Sequence, residues 1–289
     1  MKTSELFREK TVFSLEIFPP KPEADESVIY DTLAQLSDIN PDFISVTYGA
    51  GGGKNGSKTI KIASDIINKY GIESTAHLPC ISLTKNALTE ILDTLQNEGI
   101  ENILALRGDI TDNTVPAGDF SHASDLITFI KDNYDLNVIA ACYPEGHPES
   151  PDPDSDIQYL KNKVDCGADH LITQMFFDNR NFYSFRDRAR LAGIDVPIEA
   201  GIMPVTNKRQ INRMVRMCGV SFPQKFVRVL EKYGDDPVAM RDAGIAYAVD
   251  QMTDLIAEGV DGIHLYTMND PYVARKIYQA VQSMISVPV

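Results

Sequence analysis

The 289-residue sequence has no apolar run approaching the roughly 18 residues of a membrane-spanning helix, and its opening, MKTSELFREK, carries no apolar signal region. Both absences point to a cytoplasmic protein with no membrane contact. Basic residues are few: 27 lysines and arginines stand against 41 aspartates and glutamates, a formal net charge of −14. So acidic a chain repels phosphate backbones, which argues against nucleic acid as a partner. Any phosphate-bearing ligand must then be held by a few local cations. The four cysteines, Cys80, Cys142, Cys166 and Cys218, form no C-x-x-C pair and read as reduced, buried thiols. The five histidines, His77, His122, His147, His170 and His264, lack H-E-x-x-H spacing and a cysteine cluster, so no metal is expected. No strand-like segment ends in the lysine that Schiff-base chemistry would need.

What is present is a regular alternation. Strand-like runs begin at Thr11 (TVFSLEIFPP), Asp42 (DFISVTYG), Ser74 (STAHLPC), Asn102 (NILALRGD), Asn137 (NVIAACYP), His170 (HLITQMFF), Val196 (VPIEAGIMP) and Gly262 (GIHLYTMN). Segments of helical spacing lie between them, such as Ile60 to Tyr70, Leu88 to Asn97, Ser124 to Asn133, Phe182 to Ala192 and Ala243 to Glu258. The stretch Phe222 to Glu258 is broken at Asp235-Asp236-Pro237 and reads as two helices. About eight βα units without a composition break predict a single (β/α)8 barrel over residues 1–289; an open doubly wound sheet is the alternative. Polar stretches from Gly49 to Gly56 and from Thr111 to Phe120 read as loops on the ligand-binding face.

Barrel strands alternate between lumen and helix layer, so polar residues of shared parity locate a site. Ser14 and Glu16 oppose Phe13, Leu15 and Ile17; Ser45 and Thr47 oppose Ile44 and Val46; Thr75 and His77 oppose Ala76 and Leu78. In the fourth strand Ala105, Arg107 and Asp109 oppose Leu104 and Leu106, and in the sixth Gln174 shares its side with Ile172 and Phe176. In the last strand Tyr266 lies with His264. This pattern sends Glu16, Thr47, His77, Arg107, Asp109 and Gln174 into one mouth; the plainer alternative is a set of lumen plugs bonded to one another. His170 reads as a structural residue just ahead of its strand. Gly51 to Gly56 matches G-x-G-x-x-G after a strand, with Glu73 near the spacing of a ribose-binding acid. A ribose acid ends its strand, however, whereas Glu73 precedes the strand that carries His77. A loop over the site is the better reading.

Motifs in order along nearly the whole chain carry a family resemblance. LEIFPP from Leu15, SVTYGA from Ser45, AHLPC from Ala76, ALRGD from Ala105, YPEGHP from Tyr143, ITQMFFD from Ile172, GIMPVT from Gly201 and HLYTMN from His264 resemble methylenetetrahydrofolate reductases. The length is similar to that of the bacterial catalytic barrel without the regulatory domain of eukaryotic members. The resemblance implies bound FAD, NADH or NADPH as hydride donor, a folate substrate, a place in one-carbon metabolism towards methionine, and a homo-oligomer.

By resemblance Thr47, His77, Arg107, Gly108, Asp109, Ala123, Tyr143, His147, Asp156 and Lys163 contact FAD, and Gln174 and Gln210 contact folate and nicotinamide. Chemistry agrees in part: Arg107 and Lys163 can neutralise a diphosphate, while Tyr143 and His147 offer donors and a stacking face. The implied scheme is ping-pong: reduced nicotinamide yields hydride to the flavin and leaves, and the folate then takes its place. Opening the folate's methylene bridge needs a proton on the departing nitrogen, and Glu16 resembles the family's general acid for that step. Asp109, by resemblance beside the flavin's pyrimidine, disfavours the anionic reduced flavin and so strengthens hydride donation. Two positions depart from the family's habit. Asp270 follows Asn269 where an arginine commonly pairs with the folate tail, leaving Lys208, Arg209 and Arg275 as nearby cations; Met214 stands where an aromatic is common. Two rivals remain, a cofactor-free barrel lyase using Glu16 and His77, and a folate- or flavin-binding module without turnover.

Overall fold

Each of the eight apolar runs becomes a strand: β1 (Val12–Ile17), β2 (Phe43–Val46), β3 (Glu73–Pro79), β4 (Asn102–Leu106), β5 (Asn137–Cys142), β6 (His170–Thr173), β7 (Ile198–Ile202) and β8 (Gly262–Tyr266). All pair in parallel in chain order, and β8 returns to β1, with Ser14 beside His264 and Glu16 beside Tyr266. Closure decides against the open sheet, and the chain forms a single (β/α)8 barrel. The computed structural model describes residues 1–20, 24–48, 53–110, 114–208, 211 and 218–287, with the side chains of 53–55 left aside.

Among the described residues the helices are α1 (Ser27–Ser37), α2 (Gly53–Tyr70), α3 (Lys85–Asn97), α4 (Ala123–Asn133), α5 (Pro153–Asp165), α6 (Asn179–Leu191), α7 (Gln224–Tyr233), α8 (Pro237–Ala257) and α9 (Pro271–Ile285). The break expected near residue 236 is built from caps. The Asp236 carboxylate accepts from the Val238 and Ala239 amides, and Pro237 occupies the first turn, where its missing N–H costs nothing. The loop expected from Gly49 to Gly56 is corrected at its far end, since residues 53–56 already belong to α2; residues 49–52 lie outside the described set. Glu73 opens β3 and pairs with the amino terminus at 3.1 Å, which removes it from any ribose site.

Two apolar layers hold the barrel. The outer one packs residues such as Leu15, Val46, Leu78, Ile103, Ala105 and Leu171 against the helices. The inner one sets Val12, Phe43, Leu104, Ile139 and Ile172 together in the lumen, with Leu6 and Phe7 against them. This reverses the expectation for β4. Leu104 pairs beside His77 and faces the lumen, while Ala105 faces the helices. Both faces of NILAL are apolar, so hydrophobicity cannot say which is which; the base of a barrel takes bulky side chains inside. Arg107 and Asp109 lie beyond the end of β4, and their direction is set by the loop instead of the strand.

A 3-10 helix, Thr3–Arg8, stoppers the N-terminal end of the lumen. The Thr3 amide and hydroxyl donate to Asn102 at 2.8 and 3.2 Å, and Asn137 donates to the Thr3 hydroxyl at 3.0 Å. Phe7 lies 4.9 Å from the His170 ring. With that end filled, side-chain chemistry is confined to the other, where the strands' C-terminal ends converge. No described helix is long and apolar enough to cross a membrane.

Candidate active site

Glu16 stands near the C-terminal end of β1, only 7% exposed. Its Oε2 lies 3.5 Å from His77 Nε2 on β3 and 3.5 Å from His264 Nε2 on β8. Ser45 on β2 bridges the same pair, its hydroxyl 3.3 Å from His77 Nε2 and 3.5 Å from His264 Nε2. Thr47 and Gln174 follow directly on β2 and β6 at the same end, half-buried, with the Gln174 Oε1 accepting from the Met175 amide at 2.9 Å. The lumen parity read for Glu16 and His77 holds; Gln174 lies beyond the end of β6, and Ile172 and Phe176, read as sharing its side, fall in different clusters.

Tyr266 roofs this group. Its hydroxyl donates to the Thr173 carbonyl at 2.7 Å, and its phenol is held well above the ordinary range by burial, with Glu16 adding to the effect. Gly201 makes room for it. A Cβ there would come within 2.3 Å of the Thr173 oxygen and 2.8 Å of the Tyr266 ring, so only glycine fits.

Below Glu16 the lumen stays polar. His264 Nδ1 lies 2.6 Å from Ser14 Oγ, which donates to Glu199 Oε2 at 2.6 Å. The other Glu199 oxygen faces His170 Nε2 at 3.7 Å. His170 is corrected accordingly: it is the first residue of β6, not a residue ahead of it, and it is wholly buried. Burial pushes the His77 imidazole down to about 4, against the pull of Glu16, and His170 down to about 3. Burial also pushes the Glu199 carboxyl up to about 8, against the Ser14 hydrogen bond.

These shifts predict a stability maximum. As pH falls below the ordinary histidine value of 6.5, the unfolded chain takes protons that the buried imidazoles refuse, so stability declines towards pH 4. As pH rises from 4.5 to about 8, unfolding releases the Glu199 proton and stability declines in that direction. Two imidazoles outweigh one carboxyl below pH 6.5, so these groups place the maximum near there. Glu199→Gln should remove a decline of about 1.4 kcal/mol per pH unit from the alkaline limb. Denaturant melts at stepped pH measure it, and an unchanged limb would mean that Glu199 is ionised in the folded protein.

Beside the lumen mouth, between β4, β5, α4 and α5, lies a cavity of about 520 Å³. It is lined by Arg107, Ala123, Tyr143, His147, Asp156 and Lys163, all expected from the sequence. Lys163 donates to the Ala141 carbonyl at 2.9 Å, and burial lowers its pKa. Asp156 accepts from the Ser150 hydroxyl at 2.7 Å. Tyr143 and His147 meet edge to face at 4.6 Å. Arg107 grips the exposed Glu149 carboxylate through two bonds, 2.6 and 2.8 Å, which raises its pKa. Gly108 takes φ +95, a conformation that favours glycine, and its carbonyl accepts from Arg107 Nε at 3.2 Å. Asp109 is exposed and not part of the cavity lining, but close enough to Tyr143 and Arg107 to raise the pKa of both.

The sequence reading missed part of the lining: His122, Ser124, Glu149, Tyr159 and Asn162 also face the cavity. Asp156, Tyr159 and Lys163 recur at helical spacing along α5, a signal that was available. Gln210, Arg209 and Met214 lie outside the described residues. Asp270 is a helix cap, its carboxylate accepting from the Val273 amide at 3.1 Å. Arg275 is engaged by Asp38 and Lys208 by Asp235, so neither is an unpaired cation.

The sequence itself matches a known family along nearly its whole length. Residues 2–282 fit the family model described as methylenetetrahydrofolate reductase. The chain belongs to the methylenetetrahydrofolate reductase family. The 5,10-methylenetetrahydrofolate reductase of Escherichia coli (strain K12) is 39% identical over 259 residues, 89% of this chain and 86% of that one. Methylenetetrahydrofolate reductase (NADH) 1 of Arabidopsis thaliana is 36% identical over 90% of this chain and 46% of its own length. Among solved structures, a Clostridium thermocellum protein described as binding two copies of 5-methyl-5,6,7,8-tetrahydrofolic acid superposes with a TM-score of 0.62 at 14% identity. It covers 96% of this chain and 97% of its own, and it shares the fold. Members of this reductase family are oxidoreductases that reduce methylenetetrahydrofolate to methyltetrahydrofolate, and the rival readings as a lyase or an inert binder give way.

Proposed function

We propose that the reductase binds FAD in the cavity between α4 and α5, uses NADH or NADPH as donor, and places Glu16 to protonate the folate. The observation that carries this is that a nearly buried carboxyl, Glu16, and a cation-bearing cavity lined by Arg107 and Tyr143 both stand at the end of the barrel where the strands' C-terminal ends converge. The cavity's residues fit a flavin dinucleotide. Its volume lies in the usual range for cofactor sites, and Arg107 and Lys163 set two cations there on a chain of net charge −14. The α4 N-terminus opens on the same wall, and helix N-termini favour phosphate. Arg107 already holds a two-oxygen anion in Glu149. When bound, FAD supplies a two-electron relay, taking hydride from the nicotinamide and returning it to the folate in a ping-pong exchange.

The chain's own groups bind, orient and move a proton. Thr47, His77, Gly108, Ala123, Tyr143, His147 and Asp156 are assigned to hold the cofactor, and Gln174 and Gln210 the substrates. A glutamine amide can both donate to and accept from a pterin edge. Asp109 is assigned to set the charge beside the cofactor. Glu16 delivers its proton to the folate nitrogen that departs as the methylene bridge opens. The visible spectrum of the purified protein tests the cofactor assignment, and oxidation of reduced nicotinamide with menadione as acceptor tests turnover.

Asp270 leads to a prediction. Because it caps α9, Asp270→Arg should lose about 1 kcal/mol of stability, read in denaturant melts. If the folate tail passes here, the arginine should also lower the KM for polyglutamylated relative to monoglutamylated folate. An unchanged ratio would route the tail elsewhere.

A further inference from the structure

This inference rests on the reading of Glu16 as proton donor. Glu16 must regain a proton in every cycle, yet it is walled by His77, His264, Ser45 and Tyr266 and barely exposed. A folate seated above it would close the remaining route to water. Beneath it, a file of polar groups crosses the lumen from β8 to β1 to β7 in steps of 2.6 Å: His264 Nδ1 to Ser14 Oγ, then Ser14 Oγ to Glu199 Oε2. All three side chains are wholly buried. Among the described residues Glu199 Oε1 has no hydrogen-bond partner, and neither has either nitrogen of His170 beside it. A buried carboxylate with a bare oxygen is costly, and a neutral carboxyl far less so.

We propose that Glu199, acting through Ser14 and His264, stores the proton that recharges Glu16 while substrate is bound. In the charged state the Glu199 carboxyl donates to Ser14 Oγ and Ser14 donates to His264 Nδ1, the 2.6 Å contacts serving either direction; the bond from Ser14 to a Glu199 carboxylate belongs to the discharged state. In the discharge the Glu199 O–H bond breaks and its proton joins Ser14 Oγ. The hydroxyl proton of Ser14 passes to His264 Nδ1, and the proton on His264 Nε2 passes to Glu16. Glu199 ends as a carboxylate and Glu16 as a carboxyl. Ser14 and His264 stay neutral, with the imidazole tautomer exchanged, and no electrons change hands. The 3.5 Å step from His264 to Glu16 has to shorten when substrate binds, as catalytic hydrogen bonds commonly do. With the mouth open the same file runs backwards and refills Glu199.

The groups facing each end fit this role. Among the described residues Glu199 meets His170 on β6, Ser14 on β1 and His264 on β8, and no cation; Asp42 and Asp261 further disfavour its anion. Its burial keeps it protonated up to about pH 8, where an ordinary carboxyl has long lost its proton. His77 on the far side of Glu16 is held neutral by burial and so supplies no proton near pH 7. Glu199 and Ser14 are therefore positioning residues that act through Glu16.

The test follows folate reduction by the reduced holoprotein against pH in rapid mixing. Wild type should hold its rate up to about pH 8 and then decline. Ser14→Ala and Glu199→Gln should both begin to decline about one pH unit or more lower. Ser14→Thr, which keeps the hydroxyl, should restore the wild-type course. In a second readout on the wild-type protein, infrared spectra should show a protonated-carboxyl band at neutral pH that fades as pH passes about 8 and is absent from Glu199→Gln. Wild-type pH courses in both variants, equal losses at every pH, or a missing band would each overturn the relay. If Glu16→Gln is impaired while Ser14→Ala keeps the wild-type course, the relay alone fails; if Glu16→Gln reduces folate normally, the reading of Glu16 fails and takes the relay's acceptor with it.

Discussion

Glu16→Gln is expected to slow reduction of methylenetetrahydrofolate by about 10²–10⁴, the usual loss when a general acid is removed. Reduction of the cofactor by NADH or NADPH needs no proton at the folate nitrogen and should stay within about tenfold of wild type, a far smaller loss than the acid's. Glutamine keeps the shape and can still reach His77 and His264, so packing at this 7%-exposed position changes little. Rapid-mixing absorbance in the flavin band separates the two half-reactions. Equal losses in both would make Glu16 a structural or cofactor-positioning residue. No loss in either would make it a lumen plug, with the proton supplied by another side chain or a bound water.

Arg107→Ala should weaken FAD binding about ten- to a hundredfold, the equivalent of a charge-assisted contact of about 1.5–3 kcal/mol. Few cations reach this cavity on a chain of net charge −14, so no neighbour compensates fully. Folding should be nearly unaffected, because the partner of Arg107 is a carboxylate 58% exposed and surface ion pairs contribute little. Glu149→Gln should act in the opposite sense and tighten binding, since Arg107 would no longer exchange one anion for another. Titration of the apoprotein with FAD, followed by flavin fluorescence, reads both variants. Equal affinities in wild type and Arg107→Ala would remove Arg107 from the site.

Much of the fold is legible in the alternation of short apolar runs with helical segments, and the site in the strand-end polar residues. Glu16 and His77 stand out because their strands are apolar on one face only. NILAL hides its direction, with leucine and isoleucine on opposite faces, and the lumen's demand for bulk settles what local pattern cannot. Glu199 is hidden for a different reason. It sits inside VPIEAGIMP, where one acid among apolar residues gives no hint of a partner 185 positions away in Ser14. That contact exists only because β7 and β1 flank β8 in a closed barrel. A charged residue in mid-strand, sharing lumen parity with strand-end acids, is the signal that could have raised it. Asp270 shows the reverse case, where a departure from the family's pattern has a local structural use as a helix cap.

In the proposed reaction one site at the barrel mouth passes hydride from nicotinamide to folate by way of bound flavin. An anaerobic titration of the gel-filtered protein, followed by visible absorption, tests it most directly. A flavin spectrum is expected at the outset, bleached by NADH or NADPH and restored by methylenetetrahydrofolate with one methyltetrahydrofolate formed per flavin. A colourless protein, or a bleached flavin that methylenetetrahydrofolate leaves reduced, would contradict it.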